Sequence, residues 1–170
     1  ADTPNARLPF RLVTGRLRDQ WHGMSRTGRI PRLYAHAPEP CVQINPADIA
    51  RRGWSAGQLL RLSNARGSIV IPLAASEDVR AGQAFVAMHW GRRSLSHDGV
   101  NALMPAAFDP VSKQPELKHA AVRIEAAELP WRLTILRSAG ESVHGGEHSD
   151  RSEQVLAWRA RLEPLLGDFA

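Results

Sequence analysis

Residues 14–23 read Thr-Gly-Arg-Leu-Arg-Asp-Gln-Trp-His-Gly, and they follow the apolar pair Leu12-Val13 in a chain of 170 residues. The pattern predicts a strand that ends in a polar, cationic loop. A glycine at the strand exit lets the main chain approach a bound group, and Arg16 and Arg18 supply charge for a phosphate. Since the glycine spacing of a P-loop is missing, a basic surface turn with Trp21 as a buried anchor remains an alternative.

The composition predicts one soluble domain with a tail. Hydrophobic residues make up 43% and charged residues 23% of the chain, and no apolar run approaches the roughly 20 residues of a membrane helix. We therefore expect no membrane span. The chain starts without Met or a signal-peptide pattern, so we expect it to be a piece of a longer polypeptide.

The cysteine and histidine content predicts neither an internal disulfide nor a metal site. Cys41 is the only cysteine, and no Cys/His grouping has the spacing of a closed zinc or iron–sulfur site. His144 and His148 flank Glu147 among glycines, which favours incidental metal affinity in a flexible linker. A catalytic triad or other self-contained catalytic group is not predicted either.

The positive charge points to an anionic partner. A formal net charge of +5 and a pI near 10.6 fit nucleic acid, a phosphorylated cofactor or an acidic protein surface. Charge alone leaves these open. Aromatic residues are only 6% of the chain, and no stacked platform for single-stranded nucleic acid is evident, which disfavours that class.

The hydrophobic pattern predicts a small barrel of short strands. A strand is expected at 10–13, followed by others bounded by turn residues. These further strands are 41–44, 59–62, 68–73, 84–88 and 119–125. A helix at 46–52 is predicted by Asn45 as its cap, Pro46 at its first position and Gly53 as its stop. Residues 131–149 are typical of a linker, and 150–170 of a C-terminal helix that docks on another part of an enzyme or on the barrel itself.

Several separate segments carry a resemblance to a known family. They are Thr-Gly-Arg at 14–16, Trp21-His22 after a spacer of four residues, Asn101, and Asp-Pro-Val-Ser-Lys-Gln-Pro-Glu-Leu-Lys at 109–118. Together they resemble the molybdopterin-dinucleotide-binding domain of bacterial nitrate reductases, with the assimilatory type nearest. The resemblance covers roughly three-quarters of the chain. It implies a six-stranded double-psi β-barrel of the aspartate-decarboxylase-like class over residues 1–130, mainly β with short helices.

The resemblance also implies the ligand and the residues that touch it. The ligand is bis-molybdopterin guanine dinucleotide with molybdenum, and an amide can match a pterin edge while Arg and Lys suit a pyrophosphate. The implied cofactor-binding residues are Thr14, Gly15, Arg16, Trp21, His22, Gly23, Ser25, Asn101 and Lys118. Met88 and His89 correspond to positions near a substrate channel. Relatives carry Thr where Gly23 and Ser25 stand, so Gly23 is expected to offer only its main chain.

The activity implied by the resemblance belongs to a larger enzyme. Its N-terminal domains would supply the metal ligand and the iron–sulfur cluster, a ferredoxin or a reductase subunit would donate electrons, and nitrate would be reduced to nitrite in the cytoplasm. The isolated chain is then expected to be inactive. Two alternatives remain open: the same domain from a formate dehydrogenase or other molybdenum oxidoreductase, and a basic β-barrel that binds nucleic acid or an acidic protein without a cofactor.

Overall fold

The computed structural model of the chain describes residues 2–92, 95 and 98–129. The predicted linker at 131–149 and the predicted helix at 150–170 lie outside the described residues, as do His144, Glu147 and His148. The domain boundary at residue 130 stays a prediction.

Six strands of the described chain close into a barrel. They are β1 (Phe10–Gly15), β2 (Val42–Ile44), β3 (Leu59–Asn64), β4 (Gly67–Ala75), β5 (Gln83–Ala87) and β6 (His119–Ala126). Around the barrel the order is β1, β5, β2, β4, β3, β6. The pairs β1–β5 and β2–β4 are parallel and the other pairs are antiparallel. Parallel neighbours need crossover connections, and the expected mainly β, six-stranded double-psi barrel is confirmed.

The helices are short and follow local capping signals. They are α1 (Pro31–Tyr34) and α2 (Pro46–Arg52), with 3-10 turns at Thr27–Arg29 and Val100–Leu103. In α2 the Asn45 side chain accepts from the Ala47 N–H, and Gly53 ends the helix in the left-handed conformation at φ 66°. The prediction for this helix is therefore confirmed at both ends. Among the described residues, no helix combines the length and the apolar character that a membrane crossing requires.

The core fills the inside of the barrel. Alternate residues of the strands point inward, as the burial of Leu12, Ile44 and Leu60 shows, and each of these is 0% exposed. Leu103 and Met104, which end the second 3-10 turn and follow it, are buried in the same cluster. This packing fixes the connection between β5 and β6 against the barrel wall.

The strand register brings several connections to one end of the barrel. In the parallel pair, Gly15 at the end of β1 lies opposite Ala87 at the end of β5. In the antiparallel pair, Val13 lies opposite His119 at the start of β6. The long segments 16–41 and 88–118 therefore leave and return at the same end, which we call the loop end.

Candidate functional site

Main-chain contacts join the start of the polar loop to the residues before β6. The Thr14 N–H donates to the Lys118 oxygen at 3.4 Å, and the Thr14 hydroxyl donates to the Leu117 oxygen. Thr14 is only 4% exposed, so its hydroxyl is used inside the chain. The two segments that the sequence separates by about a hundred residues are thus in direct contact at the loop end.

The loop rests on a small apolar cluster of its own. Met24 is buried together with Ala87 and Trp90 after β5, and the ring of Trp90 meets Tyr34 edge-on at 6.1 Å. Trp21, in contrast, is 57% exposed. The alternative interpretation that Trp21 anchors the loop is therefore wrong: Met24 does so, because its flexible side chain reaches the space beside Trp90.

Hydrogen bonds of Gln20 and Thr27 connect separate parts of the polar loop. Gln20 is 4% exposed, its Oε1 accepts from the Thr27 hydroxyl at 2.7 Å, and its Nε2 donates to the Leu33 oxygen at 3.3 Å. The Thr27 oxygen also accepts from the Trp21 N–H at 3.2 Å. Gln20 was not predicted from the sequence, because the composition of the loop gives no sign that this polar side chain is buried and bonded within the loop.

The exposed side of the loop carries charge and aromatic rings. The Arg16 guanidinium lies 4.7 Å from the centre of the Trp21 ring, and Trp21 meets His22 edge-on at 4.7 Å. Arg16, His22 and Lys118 are all exposed. Within the described residues, neither Arg16 nor Lys118 forms an ion pair with a carboxylate. Both cations are therefore available to an anion at the loop end.

Arg18 has a different environment from Arg16. Its Nη2 lies 3.0 Å from Asp19 Oδ2, and His36 Nδ1 lies 2.5 Å from the same oxygen. The hydrogen bond from Arg18, and then that from His36, lower the pKa of Asp19 from its ordinary value. Since the Asp19 carboxylate offsets the positive charge of the Arg18 guanidinium, Arg18 is a weaker candidate than Arg16 for binding an anion.

The segment that carries Asn101 is held by contacts on both sides of that residue. Downstream, the Leu103 oxygen accepts from Asn64 Nδ2 at 2.8 Å and from Arg66 Nε at 3.0 Å. Upstream, Gly99 lies against the main chain of Trp90. Asn101 itself is exposed, and its amide makes no hydrogen bond with the described residues. Asn64 and Arg66 support this segment, and sequence patterning did not identify them.

The remaining predicted binding residues differ in how closely they are packed. A Cβ at Gly15 would lie 2.9 Å from Phe85 Cε2, whereas one at Gly23 would meet nothing within 4 Å. Ser25 is exposed on the loop. Assignment of all these residues to a cofactor stays a prediction, and the contacts of Thr14 support it by joining the polar loop to the segment that carries Lys118.

Met88 and His89 directly follow β5. Met88 is half-buried, and its N–H donates to the Gly15 oxygen at 3.0 Å. His89 is only 4% exposed, and both of its ring nitrogens contact main-chain atoms of the loop. Their place in a substrate channel stays a prediction, and for His89 the structure adds an internal contact that the sequence did not indicate.

Among the described residues, no group of three or more His, Cys, Asp or Glu side chains could hold a metal ion. Cys41 is half-buried, and burial raises the pKa of its thiol. These features supply neither a metal centre nor an activated thiolate. The chemistry available at the loop end is that of cations, aromatic rings and main-chain groups.

A closed barrel that presents exposed cations and aromatic rings at one end is chemically suited to an anionic ligand. The comparisons with known proteins make this specific. Residues 10–121 match the family described as "Molydopterin dinucleotide binding domain", and the chain belongs to this family.

Named relatives include oxidoreductases much longer than this chain. A nitrate reductase of Klebsiella oxytoca is 41% identical over 130 residues, which cover 76% of this chain and 15% of the relative. The F420-dependent formate dehydrogenase subunit alpha of Methanocaldococcus jannaschii is 33% identical over 125 residues, or 74% and 18% of the two chains. This chain spans about a sixth of the length of these relatives.

A solved structure supports the fold. Acetylene hydratase from Pelobacter acetylenicus superposes with a TM-score of 0.57 at 15% identity, covering 71% of this chain and 18% of the other. At this identity the likeness concerns the fold alone.

Proposed function

We propose that this chain is the C-terminal domain of a nitrate reductase of the assimilatory type and that it covers bis-molybdopterin guanine dinucleotide. The observation that carries the proposal is that Arg16 and Lys118 are exposed on two segments that Thr14 joins at the loop end, in a member of this domain family. Binding residues are often carried on loops that a rigid scaffold positions, as the barrel does for these two segments.

The residues present fit the chemical parts of such a cofactor. Arg16 and Lys118, unpaired with described carboxylates, suit the oxygens of a pyrophosphate. The amide of Asn101, which makes no hydrogen bond within the described residues, both donates and accepts, and this suits the edge of a pterin. The ring of Trp21, already stacked with Arg16, offers an apolar face to a flat group beside the charge.

The role of the chain in the reaction is to bind, orient and shield the cofactor. When bound, the molybdenum cofactor supplies the two-electron oxygen-atom transfer that converts nitrate to nitrite. The described residues hold the dinucleotide from one side and keep water from it. In this proposal the metal ligand, the iron–sulfur cluster and most of the substrate pocket lie in N-terminal domains, a ferredoxin or reductase subunit supplies electrons, and the enzyme is cytoplasmic.

The direct test measures cofactor retention in the enzyme that carries this domain. Arg16→Ala and Lys118→Ala are expected to lower the molybdenum and guanine nucleotide retained per protein, each by roughly tenfold, because each removes a charge-assisted contact. Arg80→Ala is the matched control, since Arg80 is exposed in the connection before β5, away from the loop end. Normal retention in both loop-end variants would contradict the proposal.

The 170-residue chain alone should show no nitrate reduction with an artificial electron donor, and turnover by it would contradict the covering role.

The formate dehydrogenase relative favours a second candidate, the same domain acting in oxidation of formate. Assaying the intact enzyme on nitrate and on formate separates the two.

The nucleic-acid alternative rests on net charge alone. A filter-binding titration at two salt concentrations tests it, because a phosphate-backbone binder loses affinity steeply as salt rises.

A further inference from the structure

His89 lies between two parts of the polar loop, one at Leu17 and the other at His22. It follows β5 directly, where the Met88 N–H to Gly15 oxygen bond extends the pairing of β1 with β5. Its side chain is 4% exposed. The ring thus occupies the space enclosed by the chain as it turns away from the end of β1.

Both ring nitrogens bind main-chain atoms of that loop. Nε2 accepts from the Leu17 N–H at 2.9 Å, and Nδ1 lies 2.5 Å from the His22 oxygen. Because a peptide N–H only donates and a carbonyl oxygen only accepts, Nε2 must be unprotonated and Nδ1 must carry the hydrogen. The contacts therefore fix one tautomer of a neutral ring, which joins Leu17 to His22.

The loop has an unfavourable backbone conformation at the point where His89 holds it. His22 and Met24 adopt positive φ values of 43° and 59°, which side-chain-bearing residues rarely take. Such a conformation persists only where surrounding contacts stabilise it. Burial stabilises this conformation at Met24. The hydrogen bond from His89 to the His22 oxygen stabilises it at His22.

We propose that His89 is a positioning residue for the cofactor loop. It acts through Leu17 and His22, and by fixing their separation it presents Arg16, Trp21 and the His22 side chain together on the exposed face. The inference rests on the proposed function for its final step. The internal geometry of the loop is separate from that step and can be measured without cofactor.

Two substitutions of His89 each keep one of the two hydrogen bonds of the ring and remove the other. His89→Asn places its amide near the position of Nδ1 and can still donate to the His22 oxygen. His89→Gln places its amide near Nε2 and can still accept from Leu17. Ile71→Val, in the barrel core where Ile71 is 1% exposed, is the control for a mild loss of overall stability.

The first experiment measures amide hydrogen exchange by NMR on the 170-residue chain, whose barrel closes within the described residues. His89→Asn is expected to speed exchange at Leu17 by roughly fivefold to tenfold, the effect of losing about one buried hydrogen bond. His89→Gln should leave Leu17 protected, and Ile71→Val should not affect Leu17 selectively. Unchanged exchange at Leu17 in His89→Asn, or an Nε2–H tautomer in the ring nitrogen spectrum of the wild type, would overturn the inference.

The second experiment measures molybdenum retention in the enzyme that carries the domain. Both His89 variants should retain several-fold less than wild type, while Ile71→Val retains a normal amount. Normal retention in the His89 variants, with low retention in Arg16→Ala, would overturn the positioning role. Normal retention in all of these variants would instead contradict the proposed function, so the two failures are distinguishable.

Discussion

The hydroxyl of Thr14 donates a hydrogen bond to the main-chain oxygen of Leu117, 103 positions further along the chain. The same residue donates its N–H to the Lys118 oxygen. One buried threonine therefore joins the exit of β1 to the segment that carries Lys118. This contact aligns two parts of the site without exposing the side chain that makes it.

Removing that hydroxyl is expected to weaken the junction. Thr14→Val keeps the shape but leaves the Leu117 oxygen without its donor, which should cost about 1 kcal/mol of unfolding free energy in urea titration. The amide signal of Lys118 should also shift, since its peptide group contains that oxygen. Thr14→Ser keeps the donor and should leave the Lys118 signal in place. Identical spectra for the Val variant and the wild type would contradict the assignment.

Two glycines of the polar loop are expected to respond differently to an added methyl group. Gly15→Ala brings Cβ to 2.9 Å from the ring of Phe85 and should lower the unfolding free energy by about 1–3 kcal/mol through overpacking. Gly23→Ala meets open space and should change it by less than about 0.5 kcal/mol. Phe85→Leu combined with Gly15→Ala should recover part of the loss. Equal effects at the two glycines would contradict this packing, and thermal or urea unfolding measures it.

Sequence reasoning predicted the elements that depend on neighbouring residues. Asn45, Pro46 and Gly53 define α2 through local capping and backbone preferences. The hairpin of β3 and β4 follows from two alternating runs around Asn64 to Gly67. The strands were therefore predicted within one or two residues, whereas the barrel came from family resemblance, because pairing such as β1 with β5 has no local signal.

The supports of the site could not be predicted in the same way. His89 contacts main-chain atoms 72 and 67 positions away, and any residue type can supply such atoms. Trp21 was assigned as an anchor in one interpretation because large aromatic residues are usually buried, yet Met24 holds the loop. Tertiary position, more than residue type, determines these roles.

The position of Asn101 is expected to depend on the absence of a side chain at Gly99. Gly99 has φ 75°, and a Cβ there would lie 2.2 Å from the Trp90 oxygen. Gly99→Ala should therefore cost about 1–3 kcal/mol and displace the Asn101 segment. Gly91→Ala, where a Cβ would meet nothing within 4 Å, is the control. Urea unfolding and the Asn101 amide shift measure both effects, and similar results for the two variants would count against the close approach.

The exposed turn at Asp109 is expected to depend on pH. Oδ1 of Asp109 accepts from the Ser112 N–H at 2.7 Å, the Ser112 hydroxyl at 3.0 Å and the Val111 N–H at 3.0 Å. The bond from the Ser112 N–H, followed by those from its hydroxyl and from Val111, lowers the pKa of the carboxyl from 3.8. Since the folded turn has the lower pKa, its stabilisation is fully present above about 3.8 and is lost as pH falls through the folded value.

A carboxyl carbon NMR titration of Asp109 checks this dependence. The midpoint should fall below 3.8, and the amide signals of Val111 and Ser112 should move with the same midpoint. Asp109→Asn keeps an oxygen acceptor without a titrating charge, so these two amides should then stay fixed over that pH range. A midpoint at or above 3.8 in the wild type would refute the hydrogen-bonded turn. Movement of both amides in the Asn variant would assign the pH response to another group.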